Sequence, residues 1–135
     1  MTWMLRSPLH VFMGGLLLIT VTGRKSGRAI SAPVNYVHDG DNLLITSKAD
    51  RTWWKNLRGD APVTLLMNGK TYRAQATVIE DHPQVDQALL RFFRLTKRTL
   101  AGIHLDKDGQ PTKPEKFAQV AQSRVIIEIS QLGKI

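Results

Sequence analysis

The chain contains no cysteine among its 135 residues. This absence excludes a disulfide framework, a thiolate nucleophile and a cysteine-ligated metal site. It is typical of proteins from a reducing compartment, and we therefore expect a cytoplasmic location. The length indicates a single domain spanning residues 1–135, with enough chain to bury a substantial core.

Acidic residues are scarce and unevenly placed. The chain has 19 lysines and arginines against 11 aspartates and glutamates, for a net charge of +8. No acidic residue precedes Asp39, whereas four cationic residues do. A positive surplus of this size predicts an anionic partner, which is a polyanionic small molecule, a nucleic acid or an anionic membrane.

The motifs of several large enzyme classes are also missing. The sequence has no G-x-S-x-G element, no P-loop and no dinucleotide-binding glycine fingerprint. Its four histidines are scattered, and no cysteine stands beside them. We therefore expect no metal site, and the residues alone identify no catalytic side chain.

The N-terminal region lacks a long uninterrupted apolar run. Pro8, His10 and the Gly14-Gly15 pair break it, so it is too short for a membrane-spanning helix. No small-residue cleavage site follows it, which argues against a signal peptide. We predict an N-terminal helix or arm over residues 1–13. Packing on the chain's own barrel is the favoured role, and contact with a membrane surface or a ligand is the alternative.

Short apolar segments separated by turn residues predict six strands. Asp39-Gly40 and Asn68-Gly69 are typical of tight hairpin turns, and Pro33 indicates an edge position or a bulge. Residues 70–80 alternate between apolar and polar, as in a half-buried antiparallel strand. The predicted strands cover residues 16–22, 30–38, 42–47, 63–67, 70–80 and 124–129.

Three helices are predicted between these strands, over residues 53–58, 83–99 and 115–122. Asp50 or Thr52 would cap the first, and helical spacing would put Trp53, Asn56 and Leu57 on one face. The second carries a cluster of cations near its end, which suits the helix dipole. A contact with nucleic acid or lipid is the alternative role of this cluster, which comprises Arg91, Arg94, Lys97 and Arg98.

Taken together, these elements predict a mainly β, α+β fold. Six short strands joined by tight turns favour an antiparallel barrel or sandwich with helices packed outside.

The most informative stretch follows the first strand. Gly23-Arg24-Lys25-Ser26-Gly27-Arg28 places three cations and a hydroxyl between glycines. Arginine offers a planar fork for phosphate or carboxylate, and glycine lets backbone N–H groups approach an anion. The segment predicts an anion cradle, and an ordinary solvated basic turn remains the alternative.

Three motifs then follow in order: TGRKSGR with APVNY, DGDNLLITSKA, and TWWKNLRGDAPVTL. Over about residues 14–80 the chain resembles the deazaflavin-dependent nitroreductase family of split β-barrel oxidoreductases, which have the pyridoxamine phosphate oxidase-like fold. The resemblance implies a six-stranded antiparallel split barrel that binds coenzyme F420, a 5-deazaflavin with a phosphate and an oligoglutamate tail. It also implies hydride transfer from reduced F420 to an electron-poor quinone, nitroaromatic compound or activated enone.

The same resemblance implies roles for individual residues. Arg24, Lys25, Ser26 and Arg28 would hold the phosphate and the tail carboxylates. Pro33 and Val34 would lie against the ring system. Ser47, Lys48 and Ala49 would line the ring and phosphate region with available backbone N–H groups, and Trp53 and Asn56 would close the pocket. We expect one of Trp53 and Trp54 to serve only in core packing.

The sequence departs from the family at its C-terminal end. Family members with nitroreductase activity carry tyrosines in the C-terminal helix, whereas this chain has only Tyr36 and Tyr72, with Phe117 near that place.

The alternative functions are an FMN-binding split barrel and, less favoured, a non-enzymatic binder of anionic lipid or nucleic acid. We expect a small-molecule electron acceptor, no nucleic-acid partner, a monomer or homodimer, and membrane association only through the N-terminal arm.

Overall fold

The computed structural model describes residues 16–96 and 102–134. Six strands, numbered β1 to β6 along the chain, form a closed barrel in the order β1-β2-β3-β6-β5-β4. Each strand is antiparallel to both of its neighbours. The predicted six-stranded antiparallel barrel is confirmed. The strands are β1 Leu16–Thr22, β2 Ala29–Asp39, β3 Asn42–Lys48, β4 Ala61–Met67, β5 Lys70–Ile79 and β6 Arg124–Lys134.

Two clusters of apolar side chains occupy the two faces of the sheet. The interior cluster fills the barrel and includes Leu17, Ile19, Ile45, Leu65 and Ile127. The outer cluster lies under two helices, α1 Gln84–Thr96 and α2 Pro114–Gln122. It includes Val37, Leu44, Phe92, Phe93 and Ile126. Alternate residues of β2, β3 and β6 therefore point into the barrel or toward the helices.

β3 is buried from Leu43 to Ser47 because both of its faces are covered. A strand covered on both faces gives a nearly continuous apolar run instead of an alternating one. β5, in contrast, shows the predicted alternation, with Ala74 and Ala76 buried and Thr71 and Arg73 exposed.

Both predicted hairpin turns are confirmed. Asn68 and Gly69 have φ values of 53° and 76°, the left-handed pair of a type I′ turn. Asp39 pairs with Asn42 across the turn at Gly40, and β2 and β3 form the hairpin.

The last strand is longer than predicted, because β6 runs to Lys134 and not to Ile129. Its second half pairs with β5 beyond an irregularity between Arg73 and Gln75. That half contains Ser130, Gln131 and Gly133, so apolar alternation could not reveal it. β4 begins at Ala61, two residues before the predicted start of this strand, so Pro62 is within it and opposite Gln75.

The segment predicted as a short helix is a 3₁₀ helix, Trp53–Leu57. Side chains three residues apart line up in a 3₁₀ helix, which has about three residues per turn. Trp54 and Leu57 accordingly share the buried side, whereas Trp53 and Asn56 are partly exposed. The predicted shared face of Trp53 with Leu57 is therefore wrong. So is the predicted cap by Asp50 or Thr52, since no described side chain caps this helix.

The described part of α1 ends at Thr96, and the prediction of a helix to residue 99 extends outside the described residues. The predicted arm over residues 1–13 also lies outside them. None of the helices within residues 16–96 and 102–134 is long and apolar enough to cross a membrane.

Candidate functional site

A cleft opens where β2 and β3 separate. β3 pairs with β2 only from Asn35 to Asp39, whereas residues 29–34 of β2 pair with β1 alone. Pro33 lies in this half-paired stretch, which is the kind of edge position where proline is tolerated in a sheet. The cleft has a volume of about 310 Å³ and is lined by Leu16, Ala32, Pro33, Val34, Asn35, Thr46, Ser47, Lys48, Arg51, Trp53 and Arg124.

The lining of the cleft is cationic. Lys48, Arg51 and Arg124 contribute to it, and no aspartate or glutamate among the described residues does. None of these three forms an ion pair with a described residue. Arg124 is partly buried, and this burial lowers the pKa of its guanidinium. The cleft therefore attracts anions and offers them unpaired positive charge.

Three polar residues lie at the inner end of the cleft. Asn35, Thr46 and Arg124 also line a smaller cavity of about 30 Å³ against α1 and α2. Thr46 is 9% exposed, and its buried Oγ1 has no hydrogen-bond partner among the residues that the structure describes. Because a buried hydroxyl without a partner is costly, this oxygen is a candidate ligand contact.

The segment Gly23–Arg28 forms a closed turn, which we call the basic loop. The N–H of Gly23 donates to the carbonyl of Arg28 at 2.8 Å, and the N–H of Gly27 donates to the carbonyl of Gly23 at 2.8 Å. The Ser26 Oγ accepts the N–H of Arg28 at 3.2 Å. The side chains of Arg24, Lys25 and Arg28 are exposed and form no ion pair within the described residues.

The 3₁₀ helix connects the basic loop to the cleft. Asn56 accepts the backbone N–H of Arg24 at 3.0 Å and donates through Nδ2 to the carbonyl of Trp53 at 3.0 Å. Trp53 lines the cleft, and Trp54 is 3% exposed and belongs to the interior cluster. The expectation that one tryptophan serves in core packing is met by Trp54.

A bidentate ion pair fixes the end of this helix. Arg58 donates from Nε and Nη2 to the two carboxylate oxygens of Glu80 at 2.9 and 2.8 Å. These hydrogen bonds hold the pKa of Glu80 below its usual value. The Arg58 guanidinium also lies 5.2 Å from the centre of the Trp54 ring, where a cation is attracted to the aromatic face.

Most of the predicted site residues fall into two groups. Pro33, Val34, Ser47, Lys48 and Trp53 meet at the cleft. Arg24, Lys25, Ser26 and Arg28 form the basic loop at the neighbouring ends of β1 and β2.

Ala49 and Asn56 do not line the cleft. Asn56 supports the basic loop instead. The expectation of an available N–H at Ala49 is wrong, because this group donates to the carbonyl of Ser123 at 2.8 Å.

Sequence reasoning missed Thr46, Arg51 and Arg124. Thr46 reads as one residue of a strand, and Arg124 as the first residue of another. Only the pairing of β3 with β6, which sets Lys48 opposite Arg124, brings these residues to one place. The signal that could have drawn attention to Arg124 is a cation at the start of an otherwise apolar strand.

Phe117 and the two tyrosines, where the sequence departs from the family, do not line the cleft. Phe117 is buried in the outer cluster, with its ring centre 6.2 Å from that of Phe93. Tyr36 is buried in the interior cluster, and this burial raises the pKa of its phenol. Neither Tyr36 nor Tyr72 lines the cleft.

Two of the four helix cations that suggested a nucleic-acid or lipid contact have partners within the chain. Arg91 donates through Nε to Asp39 at 2.9 Å, and Arg94 donates through Nε to the carbonyl of Gly109 at 2.8 Å. Lys97 and Arg98 lie outside the described residues. Within the described ranges, no three His, Asp or Glu side chains converge on a metal-binding geometry.

Solved structures with the same fold include a conserved hypothetical protein from Mycobacterium tuberculosis. It has a TM-score of 0.58 and 15% identity, and the match covers 95% of this chain and 83% of that one. A Listeria innocua protein named for pyridoxamine 5′-phosphate oxidase has a TM-score of 0.56 and 15% identity, over 93% and 91% of the two chains. A structure named F420 reductase has a TM-score of 0.51 and 13% identity, over 96% and 92%. At these identities the likeness shows the fold, which is that of the pyridoxamine phosphate oxidase-like barrels.

Sequence comparison gives the family. No curated protein sequence matches the chain. The sequence profile of the F420H(2)-dependent quinone reductase family, however, matches residues 8–104, more than two thirds of its length. The chain therefore belongs to the F420H(2)-dependent quinone reductase family of oxidoreductases, for which coenzyme F420 is the implied cofactor.

Proposed function

We propose that this protein binds F420 across the cleft and the basic loop and reduces an electron-poor quinone, nitroaromatic compound or activated enone. The observation that carries the proposal is the continuity between the two binding regions. Pro33 and Val34 in the cleft and Arg28 in the basic loop belong to one stretch of chain, and Asn56 ties the loop to the helix that carries Trp53.

The dimensions suit an elongated ligand with a ring at one end and negative charge at the other. From Arg28 to Pro33 the chain advances five residues, which span roughly 17 Å in an extended strand. The ring end has apolar walls from Pro33, Val34 and Trp53. The other end has three exposed cations without an ion-pair partner in the described part of the chain. A molecule with a planar ring, a phosphate and several carboxylates fits this distribution of chemistry.

In this arrangement Arg24, Lys25 and Arg28 bind the phosphate and the tail carboxylates, because guanidinium and ammonium groups form charge-assisted hydrogen bonds with both. Ser26 retains its hydroxyl hydrogen for an anion while its oxygen accepts the N–H of Arg28. The Trp53 ring provides an aromatic wall beside the bound ring. When bound in its reduced form, F420 supplies a hydride to the acceptor, which also takes up a proton. The chain contributes position, exclusion of water and electrostatic stabilisation.

No described tyrosine reaches the cleft, so solvent water is the proposed proton source. This distinguishes the chain from family members that face the substrate with tyrosine hydroxyls. A quinone suits such a site, because its reduced product is a weak acid that exchanges protons with water readily.

The binding test is a titration of F420 into the wild-type protein and into a variant of the basic loop. Arg24→Ala combined with Lys25→Ala should weaken binding about tenfold or more, equivalent to about 1.4 kcal/mol. Lys107→Ala combined with Lys113→Ala is the matched control, since it removes the same charge from exposed positions away from the cleft. Equal affinities of the loop variant and the control would remove the basic loop from the proposal.

The activity test follows the oxidation of F420H2 in the absence of oxygen with one quinone, one nitroaromatic compound and one activated enone. Turnover of at least one acceptor is expected, with the quinone fastest. If the protein binds F420 but oxidises F420H2 with none of these acceptors, the proposed reaction is wrong and the proposed binding site stands.

FMN, which has a phosphate but no glutamate tail, is the comparison ligand for binding. A preference for FMN would replace the deazaflavin in the proposal.

A further inference from the structure

The inner end of the cleft is polar, although apolar side chains surround it. Asn35, Thr46 and Arg124 line both the cleft and the 30 Å³ cavity, whose other walls are Leu89, Phe92, Phe93 and Val120. Asn35 is opposite Thr46 in the register of β2 and β3, and Thr46 is opposite Ile126 in that of β3 and β6. The three polar residues therefore lie on the outer face of three adjacent strands, directly under the helices.

Two positively charged side chains of the cleft lie opposite each other on adjacent strands. Lys48 and Arg124 are direct cross-strand partners, and like charges in that relation repel. No carboxylate lines the cleft to offset the repulsion. Burial lowers the pKa of Arg124, and no neighbouring negative charge counters this effect. An anion bound between the two cations would relieve both the repulsion and the desolvation cost.

The third observation is the hydroxyl of Thr46. Thr46 is more than nine-tenths buried, and within residues 16–96 and 102–134 its Oγ1 has no hydrogen-bond partner. A cavity of about 30 Å³ has no room for a phosphate and its shell of donors. It does have room for a single oxygen atom projecting from a planar ring. The unpaired hydroxyl and the guanidinium are then its two donors.

We propose that Arg124 and Thr46, with the positive charge of Lys48 beside them, form an oxyanion subsite that binds the ionised oxygen of a planar ring, such as a phenolate or an enolate. This inference deepens the proposed function and rests on it in one respect, that the cleft is where the ring and the acceptor meet. The ionised oxygen belongs either to an acidic acceptor, such as a hydroxyquinone, or to the deazaflavin ring itself. The subsite gives the enzyme a preference among ring ligands that the basic loop cannot give.

The test uses two quinones of nearly the same shape. 2-Hydroxy-1,4-naphthoquinone is ionised near neutral pH, because its hydroxyl is conjugated to a carbonyl, and 1,4-naphthoquinone carries no charge. Wild-type protein without cofactor should bind the hydroxyquinone about tenfold more tightly near pH 7. A tenfold preference for the anion should also lower the apparent pKa of the bound hydroxyquinone by about one unit, which its visible absorption reports.

Arg124→Met should abolish the preference and the shift, and Arg124→Lys should keep part of both. Thr46→Val is the second variant, and it should weaken hydroxyquinone binding about threefold to tenfold without destabilising the fold. If Thr46 had only a structural role, Thr46→Val would lower the stability of the protein and leave the apparent pKa of the bound hydroxyquinone unchanged. Arg73→Met is the matched control. It removes an exposed arginine from β5, outside the cleft, and should retain the full preference.

A second arm identifies the source of the oxygen. If Arg124→Met also weakens F420 binding about tenfold, the oxygen belongs to the deazaflavin. If F420 affinity stays within about twofold of wild type, the subsite serves the acceptor. Equal binding of the two quinones by wild-type protein, or a preference that persists in Arg124→Met, would overturn the inference. Failure of wild-type protein to bind F420 in the same experiment would instead count against the proposed function.

Discussion

The backbone N–H of Arg24 donates a hydrogen bond of 3.0 Å to the side-chain oxygen of Asn56. The two residues are 32 positions apart in sequence, and the bond joins the basic loop to the 3₁₀ helix. Asn56 also donates to the carbonyl of Trp53, which lines the cleft. One amide side chain thus fixes the loop that would bind the anionic tail relative to the aromatic residue beside the ring.

Asn56→Ala should therefore weaken F420 binding, although Asn56 is not proposed to contact the ligand. The variant loses both hydrogen bonds, so the basic loop is no longer held in place, and we expect a threefold to tenfold loss of affinity. Stability should fall by about 1 kcal/mol for the lost bonds, as measured by urea denaturation. Asn42→Ala, at the start of β3 and at the other end of β2, is the control. Unchanged F420 affinity in Asn56→Ala would contradict this role.

The shape of the basic loop depends on Gly27, whose φ is +70°. A Cβ atom at this position would meet no heavy atom within 4 Å. A side chain there would therefore lower stability only because its backbone would have to adopt a positive φ. Gly27→Ala should cost roughly 1–2 kcal/mol of stability and loosen F420 binding. Gly27→Asn should cost less, because asparagine tolerates the left-handed region.

Gly133→Ala serves as the comparison for this series. Gly133 lies in β6 and has no positive φ, and a Cβ atom at this position would likewise meet no heavy atom within 4 Å. This substitution should leave stability nearly unchanged. Equal stabilities of Gly27→Ala and Gly133→Ala would show that the loop does not require the left-handed conformation.

The ion pair of Arg58 and Glu80 predicts an acid-dependent loss of stability. Arg58 lowers the folded-state pKa of Glu80 below its ordinary value of 4.5. A lowered carboxyl pKa stabilises the fold above the unfolded-state value, and the contribution is lost as pH falls through the folded-state value. Wild-type protein should therefore lose part of its stability as pH falls below about 4.5.

Glu80→Gln should be less stable than wild type near pH 7, and the two stabilities should converge in acid. Circular dichroism of urea unfolding at a series of pH values measures both curves. Asp41→Asn, which removes one negative charge from an exposed position in a turn, is the control for the change in net charge. Parallel curves for Glu80→Gln and wild type would show that the pair contributes no stability that depends on Glu80 ionisation.

Local chemistry made much of the fold predictable. Asn68-Gly69 specifies its turn within two residues, and the alternation of residues 70–80 gives the half-buried strand directly. Pro33 indicated an edge position, and the structure gives the reason, since β2 has no partner on one side there. The family resemblance reached further than any single pattern, because it depended on three motifs in a fixed order.

The parts that escaped prediction depend on long-range pairing. Thr46 and Arg124 come together only through the register of β3 with β6, which no local pattern encodes. The 3₁₀ geometry of residues 53–57 changed which side chains share a face, and it moved Asn56 from the pocket wall to the support of the loop. The oligomeric state and membrane association stay predictions, as do the roles of the individual binding residues.

The most direct measurement of the central claim is a titration of the wild-type protein with F420 and, separately, with FMN, followed by tryptophan fluorescence. F420 should bind in the micromolar range and quench the emission, with little response to FMN. Trp53→Phe should remove most of the quenching while binding, measured by ultrafiltration, persists. Trp54→Phe should keep the quenching, because Trp54 lies in the interior cluster. Absence of F420 binding, or tight binding of FMN in its place, would contradict the account.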